Sequence, residues 1–522
     1  MREFMKLYTE KTLGAISGWD RIRFRGTIRW LASTSGINSY LGAHSILLKD
    51  FGKWAADITA RVRQACSHQA QKLGIPVVYL QSSKVDKEAL ARRIAKERAV
   101  EQGDICMFSV VEPCHSPLVK GNRETKKLEL HVGPRKCVWV YHYWNDAEFG
   151  FGHTRLQTWL PLSTTVCVNG RHWLERQMIR EGIDYVKDGN CFSHIEDLSR
   201  AQELVEEQLR TDWPGTLDRL LRRSCPIIER TVGEAMNYYW SADETEWASD
   251  VMFRSARDLD SVFPSLLRFG LLSAQSSQVM RFFGKRVGQD GRIRGRAPEE
   301  ITSDLRQRYE GFRLKHWVNR NSVKMYNKAG SVLRIETTIN NNRDFKVFRC
   351  PNDDESRPAS WQKMRKGVAD LHRRSQVSQA CNERYLDYLA SANLNETLQK
   401  TAGEICSPVV KKGRRHRALN PWRPEDFRIL EFLARGENHI NGFRNRDLLV
   451  WLYPRDPQGD KDTRRRASAR ATRRIGLLRA HGLVRKVPKE SRYVLSAKGR
   501  KVAAAILAAS SADTKQLMAM AA

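Results

Sequence analysis

The sequence predicts an α+β protein of several domains, with a mixed α/β body that is β-rich in its centre and a distinct C-terminal module. Three observations lead there. Apolar residues recur at helical spacing across 45–72, in "SILLKDFGKWAADITARVRQACSHQAQK", and again in "KEALARRIAKERAV". Alternation replaces that period in "DICMFSVVE", "KKLELHV" and "KCVWVYHYW". A basic, proline-bounded stretch, "SPVVKKGRRHRALNPWRP", then separates the body from the last part of the chain.

Taken in order, residues 1–102 read as an α/β region with the short strand "IPVVYL" between two helices. Residues 103–195 form a β-rich region, in which "HVGPRK" reads as a turn and "TRLQTWLPL" and "STTVCVNG" as further strands before the helix "RHWLERQMIREG". Residues 196–285 are helical, through "EDLSRAQELVEEQLRTDWPGTLDRLLRRS" and a second stretch near 254–284. Residues 286–400 hold a basic glycine-rich loop, a strand pair around an Ala-Gly turn and a helix; 401–423 is the linker, 424–510 the C-terminal module and 511–522 a tail. No segment repeats in sequence.

Charge narrows the function. The 522 residues include 90 Lys plus Arg against 59 Asp plus Glu, a formal +31, which calls for an extended polyanion such as DNA or RNA. No run of 18 apolar residues predicts a membrane span, and the charged N-terminal stretch "MREFMKLYTEK" lacks a secretory apolar core. The expectation is a cytoplasmic protein, on the nucleoid if bacterial, with no membrane partner. The ten cysteines include no CxxC; Cys106, Cys114 and Cys137 with His115 come nearest to a metal pattern and read instead as reduced, buried thiols.

The C-terminal module reads as three helices, "PEDFRILEFLARGEN", "GFRNRDLLVWLYP" and "DTRRRASARATRRIGLLRAHGL", then a hairpin and a last helix, "AKGRKVAAAILAA". Asp462 or Thr463 is the expected cap of the third. That order is the order of a winged helix-turn-helix. Residues 411–500 carry 25 Lys plus Arg against 9 Asp plus Glu, about half the excess charge in a sixth of the chain. Arg466, Arg470, Arg473 and Arg474 form one stripe on the third helix, beside Arg464 and Arg465, with Ile475, Leu477 and Leu478 facing away. The stripe suits the major groove of DNA; Lys486, Lys489 and Arg492 on the wing suit phosphates. The ending "LVRKVPKESRYVLSAKGRKVA" resembles the wing and last helix of MarR-like regulators. That resemblance implies DNA recognition and leaves a homodimer open.

In the body no P-loop, G-x-S-x-G, H-E-x-x-H or deaminase signature occurs. Arg292, Arg294 and Arg296 in "RFFGKRVGQDGRIRGR" suit phosphates. In "VYHYWNDAEFGFGH", His142, Asp146, Glu148 and His153 are weak candidate metal ligands, while Tyr141, Tyr143, Trp144 and Trp159 suit stacking on unpaired bases. Asp20, Glu112 and Asp184 lie near strand ends and would suit a two-metal nuclease if they converge. In "SVKMYNKAGSVLRIETTINNNRDFKVFR", Lys324, Tyr326, Lys328, Arg334 and Glu336 leave three readings open: a solvated strand face, a phosphate-binding sheet that includes Arg343, or a reacting site. Residues 323–342 resemble a strand pair of rolling-circle replication initiators, "K-x-Y-x-K" before "R-x-E". The resemblance implies Tyr326 as nucleophile, Lys328 and Arg334 as phosphate holders, and Glu336 as ligand of Mg2+ or Mn2+. The histidine pair of that family is missing.

The expected function is therefore a nucleic-acid-binding protein of a mobile or replicating element, reading DNA through the winged helix and holding nucleic acid on a basic body. The alternatives are a metal-dependent DNA nickase or transposase-like strand transferase, with Mg2+ or Mn2+ as cofactor, and a non-enzymatic protein that binds structured RNA in a ribonucleoprotein.

Overall fold

The fold is taken from a computed structural model, which describes all residues except 232–236, 286–297, 309–310, 352–355, 392–397, 412, 436–437, 439–441, 455–459, 488–489 and 512–522. The chain is α+β and is organised by one sheet. Its strands are β1 (Thr12–Thr27), β2 (Val77–Leu80), β3 (Gly103–Gly121), β4 (Leu128–Asp146), β5 (Gly150–Gln157), β6 (Thr164–Asn169), β9 (Tyr239–Phe253), β10 (Ile301–Arg308), β11 (Gly311–Val318), β12 (Asn321–Lys328) and β13 (Val332–Ile339). The hairpin of β7 (Tyr185–Asp188) and β8 (Cys191–Ile195) stands apart from it.

The sheet has 11 strands in the order β10-β11-β12-β13-β9-β1-β6-β5-β4-β3-β2. Outward from the central β9–β1 pair, both halves run alike: the first strand of the half, then its last, then the other three in reverse. β6, β5, β4 and β3 flank β1, while β13, β12, β11 and β10 flank β9, all antiparallel. Only β2 breaks the match, joining β3 in parallel. A repeat absent from the sequence is thus present in the topology. Such a repeat leaves no sequence period, because insertions of different length separate the equivalent strands.

Two strands that the hydrophobic pattern does not announce, β1 and β9, form the seam. Both are buried on both faces over part of their length, Ile16–Asp20 and Trp247–Phe253, so they do not alternate from end to end. Trp19 and Trp247 pair across it with ring centroids 4.8 Å apart and perpendicular planes, and Trp247 Nε1 donates to Gln379 Oε1 at 2.7 Å. The segment "HVGPRK" is no turn: it lies inside the 19-residue β4, where Pro134 pairs with His115. The helical stretch 196–224 divides into Leu198–Gln208 and Trp213–Ser224, because Asp212 caps a new helix with Pro214 in its first turn.

Helices Phe51–Lys72, Leu198–Gln208 and Trp213–Ser224 share a core with Ile22, Phe24, Leu156 and Val166 of the sheet. Helices Phe263–Ser273 and Leu371–Ala390 close a second core on Leu314, Val323, Met325, Leu333 and Ile335. The turn between β12 and β13 holds Ala329 and Gly330 at φ 51° and 77°, the left-handed conformation such a reversal needs.

Beyond residue 400 a separate core of Ile429, Leu430, Leu448, Ile475, Leu478, Leu483, Val502 and Ile506 joins helices Pro424–Ala434, Asn445–Leu452, Lys461–Ala480 and Ala497–Ser511. A hairpin, Val484–Lys486 with Tyr493–Leu495, lies between the last two, and Phe443 bridges to Tyr493. The cap of Lys461–Ala480 is Asp460, which accepts from Thr463 N at 2.8 Å, rather than Asp462 or Thr463. Trp247→Ala is expected to cost about 3–5 kcal/mol in urea-unfolding free energy, since it opens the central seam.

Candidate functional site

A polar cluster lies on one face of the seam and is built by register. Arg334 of β13 faces Asp250 of β9 on one side and Tyr326 of β12 on the other; Glu336 faces Lys324. These side chains therefore point the same way. Asp20 joins them through a β-bulge. Trp19 pairs with Trp247 and Ile22 with Thr245, so Asp20 and Arg21 together oppose the single residue Glu246.

Arg334 is fully buried. Its Nε and Nη2 bond the two oxygens of Asp250 at 2.6 and 2.8 Å, Nη1 reaches Asp20 Oδ2 at 3.1 Å, and Nη2 also donates to the Asn190 carbonyl at 2.7 Å. Arg171 adds a second guanidinium, Nη2 lying 3.1 Å from Asp250 Oδ2. It is carried by the helix Gly170–Glu181, whose cap Asn169 accepts from Arg171 N and donates from Nδ2 to Asp20 Oδ1 at 3.2 Å. Gly170 is needed there, because a Cβ would lie 2.4 Å from the Trp19 carbonyl oxygen. Asn190, at the turn between β7 and β8, donates to both Asp20 oxygens at 2.6 and 2.8 Å. Burial alone would raise the Asp20 carboxyl; Arg334, Arg171 and Asn190 outweigh it and hold it below its ordinary range.

Asp20, Glu246 and Glu336 each bring one oxygen within 4.8 Å of the others. Lys324 Nζ lies 2.6 Å from Glu336 Oε1 and 3.9 Å from Glu246 Oε1, and Tyr326 donates its hydroxyl to Glu336 Oε2 at 2.9 Å. Burial, and then the nearby Glu336, push the Glu246 carboxyl up to about 7. Burial also raises the Tyr326 phenol well above its ordinary value, with Glu336 adding to it. The Lys324 ammonium is raised as well: burial would lower it, but Glu336 and Glu246 outweigh burial and keep it charged. Arg21 closes the outer side, Nη2 donating to Glu244 at 2.8 Å and to Glu246 at 3.4 Å.

An all-carboxylate set suits a hard divalent cation such as Mg2+ or Mn2+. Neighbouring ligand oxygens around Mg2+ stand about 3 Å apart, so the three side chains would have to close in on an ion to hold it. The Lys324 ammonium stands against two of the three carboxylates, where it supplies the positive charge they require. The residues thus fit a divalent ion, in competition with that lysine.

The other expected residues fall elsewhere. All eight residues of β13 are buried, so the reading of "VLRIETTI" as a solvated face does not hold; the face is polar but enclosed. Arg334, expected at a phosphate, directs its donors at internal acceptors. Lys328 is half-buried and Arg343 exposed. Glu112 lies far along the sheet on β3, held by Arg155 at 2.6 Å, Tyr141 at 2.8 Å and Lys87 at 3.1 Å; Asp184 precedes β7 and does not join Asp20. The group around His142 is not gathered as ligands. His142 is fully buried between Asp104, 3.0 Å from Nε2, and Ser224, 3.1 Å from Nδ1. Asp146 accepts from the backbone of Glu148 and Phe149 and pairs with Arg219 and Arg223, while Glu148 accepts from Trp173. Tyr141, Tyr143 and Trp144 are buried, and Trp159 packs against the core. Cys114 is buried and Cys137 half-buried beside it. Sequence reasoning missed Asp250, Glu246, Arg171 and Asn190, because β9, the helix Gly170–Glu181 and the β7–β8 hairpin that carry them hold no motif. The bulge at Asp20 has no sequence mark either.

On the C-terminal helix, Arg464, Arg465, Arg466, Arg470 and Arg473 are exposed. Arg474 is half-buried and pairs with Glu425 at 2.7 Å; the Arg470 guanidinium lies over the Tyr453 ring at 4.4 Å. Lys486 is exposed, and Arg492 pairs with Glu490 at 2.5 Å. Arg292, Arg294, Arg296 and Lys489 lie outside the described residues. No helix among the described residues is long and apolar enough to cross a membrane. Comparison with protein-family models, curated proteins and solved structures finds no match to the chain.

Two outcomes test the cluster. Arg334→Ala takes the shared guanidinium from two buried carboxylates, leaving Asp250 to Arg171 and Asp20 to Asn190 and Asn169, and is expected to cost about 3–5 kcal/mol by chemical denaturation. Because folding raises the Glu246 carboxyl from 4.5 to about 7, the folded chain binds the extra proton between those values, and stability falls as pH rises through them. Glu246→Gln is therefore expected to be more stable than the parent at pH 8, by about 1–3 kcal/mol, with the gap closing towards pH 4.5.

Proposed function

We propose that the chain is a nucleic-acid-binding protein of a mobile or replicating element, which reads DNA through a C-terminal winged helix and holds nucleic acid on its basic body. The observation that carries the reading is the helix Lys461–Ala480. Six arginines are exposed along it, Arg464, Arg465, Arg466, Arg470, Arg473 and Arg479, while Ile475, Leu477 and Leu478 are buried in the core of the C-terminal unit. So many exposed arginines on one helix repel one another unless an anion is near, and duplex DNA offers a groove that admits a helix. The helix, helix, helix, hairpin, helix order and the Phe443–Tyr493 bridge agree with a winged helix, as does the resemblance to MarR-like regulators. The charge of +31 supports binding beyond that unit.

The test is the triple variant Arg466→Glu, Arg470→Glu and Arg473→Glu in the full chain, with duplex affinity followed across salt concentrations. Duplex affinity is expected to drop and the slope of log K against log salt to become shallower by about three or more. Unchanged affinity and slope would move the main contact off this helix.

A second reading, metal-dependent phosphodiester cleavage, is favoured by the convergence of Asp20, Glu246 and Glu336 beside Tyr326 and Lys324. A divalent ion held there would neutralise charge on a phosphate. Glu336, which already accepts the Tyr326 hydroxyl, is placed to take its proton. The phenolic oxygen then bonds to phosphorus, the P–O3′ bond breaks, and the 3′-hydroxyl leaves with a proton, so the strand stays joined through its 5′ phosphate. This reading predicts cutting of single-stranded or supercoiled DNA with Mn2+ or Mg2+ that Glu336→Gln abolishes. Tyr326→Phe should abolish both cutting and the covalent adduct. Cutting that persists in Tyr326→Phe would make water the nucleophile. A folded chain that binds DNA without cutting it excludes this second reading.

A further inference from the structure

One surface remains outside both readings. Past β13 the chain forms a small two-stranded ribbon, Lys346–Arg349 with Ser360–Lys363. One side anchors it: Phe345, Val347 and Met364 are buried in the same core as Leu333 and Ile335. The other side carries Lys346, Phe348, Trp361 and Lys363, all exposed. Phe348 and Trp361 are 60% and 63% exposed, directly opposite each other, with centroids 5.7 Å apart and planes at 64°. Lys346 and Lys363 are likewise directly opposed.

Each feature costs free energy in the isolated chain. Two large rings are left in water, and two like charges face each other across a ladder, where they destabilise it. Neither strand contains an acidic residue; Asp353, Asp354 and Glu355 belong to the segment that joins them and lie outside the described residues. A ligand that removes both costs must offer flat apolar faces and closely spaced negative charge, which is the chemistry of an unpaired strand. In duplex DNA the base faces are stacked away and only the charge is offered.

We infer that the ribbon is a stacking platform for unpaired bases of a single-stranded nucleic acid, with Lys346 and Lys363 on its phosphates. The inference rests on the nucleic-acid reading above and adds the strand state of the ligand. The ribbon begins seven residues after β13 and packs on the face of the sheet that carries Leu333 and Ile335.

The test uses the full chain, a labelled oligothymidylate of about 16 nucleotides and a duplex of the same length, followed by fluorescence anisotropy. In Phe348→Ala/Trp361→Ala, affinity for the oligothymidylate is expected to fall about tenfold or more while duplex affinity is unchanged. Both rings are exposed, so the thermal midpoint should hold and a folding defect is read separately. Lys346→Ser/Lys363→Ser should weaken single-strand binding and reduce its salt slope. A parent chain that binds the oligothymidylate as tightly as the double ring variant overturns the ribbon and leaves the nucleic-acid reading standing. A parent that binds neither probe overturns that reading itself. A ring variant that changes sedimentation but not affinity makes the ribbon an interface between copies, and also overturns the inference.

Discussion

The buried guanidinium of Arg334 is the contact on which the centre of the molecule depends. It joins Asp250 of β9 to Asp20 of β1 and reaches the Asn190 carbonyl outside the sheet, so one side chain ties together both halves and the hairpin that covers them. A buried ion pair of this kind adds little net stability over a well-packed apolar group, because two or more charges must leave water. Its effect is on uniqueness. An Arg334 that lost either partner would leave a charge in the interior, so β13, β9 and β1 hold one register, and the bulge at Asp20–Arg21 stays where it is.

That register explains what could and could not be read beforehand. Lys324, Tyr326, Arg334 and Glu336 are near in sequence and were singled out together, because a hairpin places residues a few positions apart side by side. Asp20 was grouped with Glu112 and Asp184, since its true neighbour Glu336 is reached only through two successive strand pairings, β1 with β9 and β9 with β13. Glu246 and Asp250 sit on β9, whose run "YWSADETEWASDVMF" places Glu246, Ala248, Asp250 and Met252 on the site face and Trp247, Ser249 and Val251 on the other, so polar and apolar residues are mixed on both. Such a strand carries too few apolar residues on one side to show a clean alternation. The helices and the C-terminal unit were legible for the opposite reason: each buries an apolar stripe set by its own local period. The topological repeat of the halves was hidden, because topology survives when the residues that fill it diverge.

The two clusters singled out in the first half of the sheet show how context decides the use of a carboxylate. Glu112 and Asp146 are each met by arginine or lysine and further hydrogen bonds, so their charge is spent internally. At the seam four acids meet four basic groups, but unevenly. Asp20 and Asp250 are served by Arg334 and Arg171, but Glu336 and Glu246 share Lys324, with Arg21 reaching Glu246 from the exposed edge.

The raised carboxyl of Glu246 is the measure of that unevenness. Burial and Glu336 keep it near half-protonated at neutral pH, so the centre meets its charge need partly with a proton. Lys324 bridges Glu336 and Glu246 from between them, so the proton on Glu246 and the single ammonium divide one task. The cluster of the isolated chain is therefore a closed ion network, in which the loss of either the lysine or the proton leaves a buried carboxylate without its counter-charge.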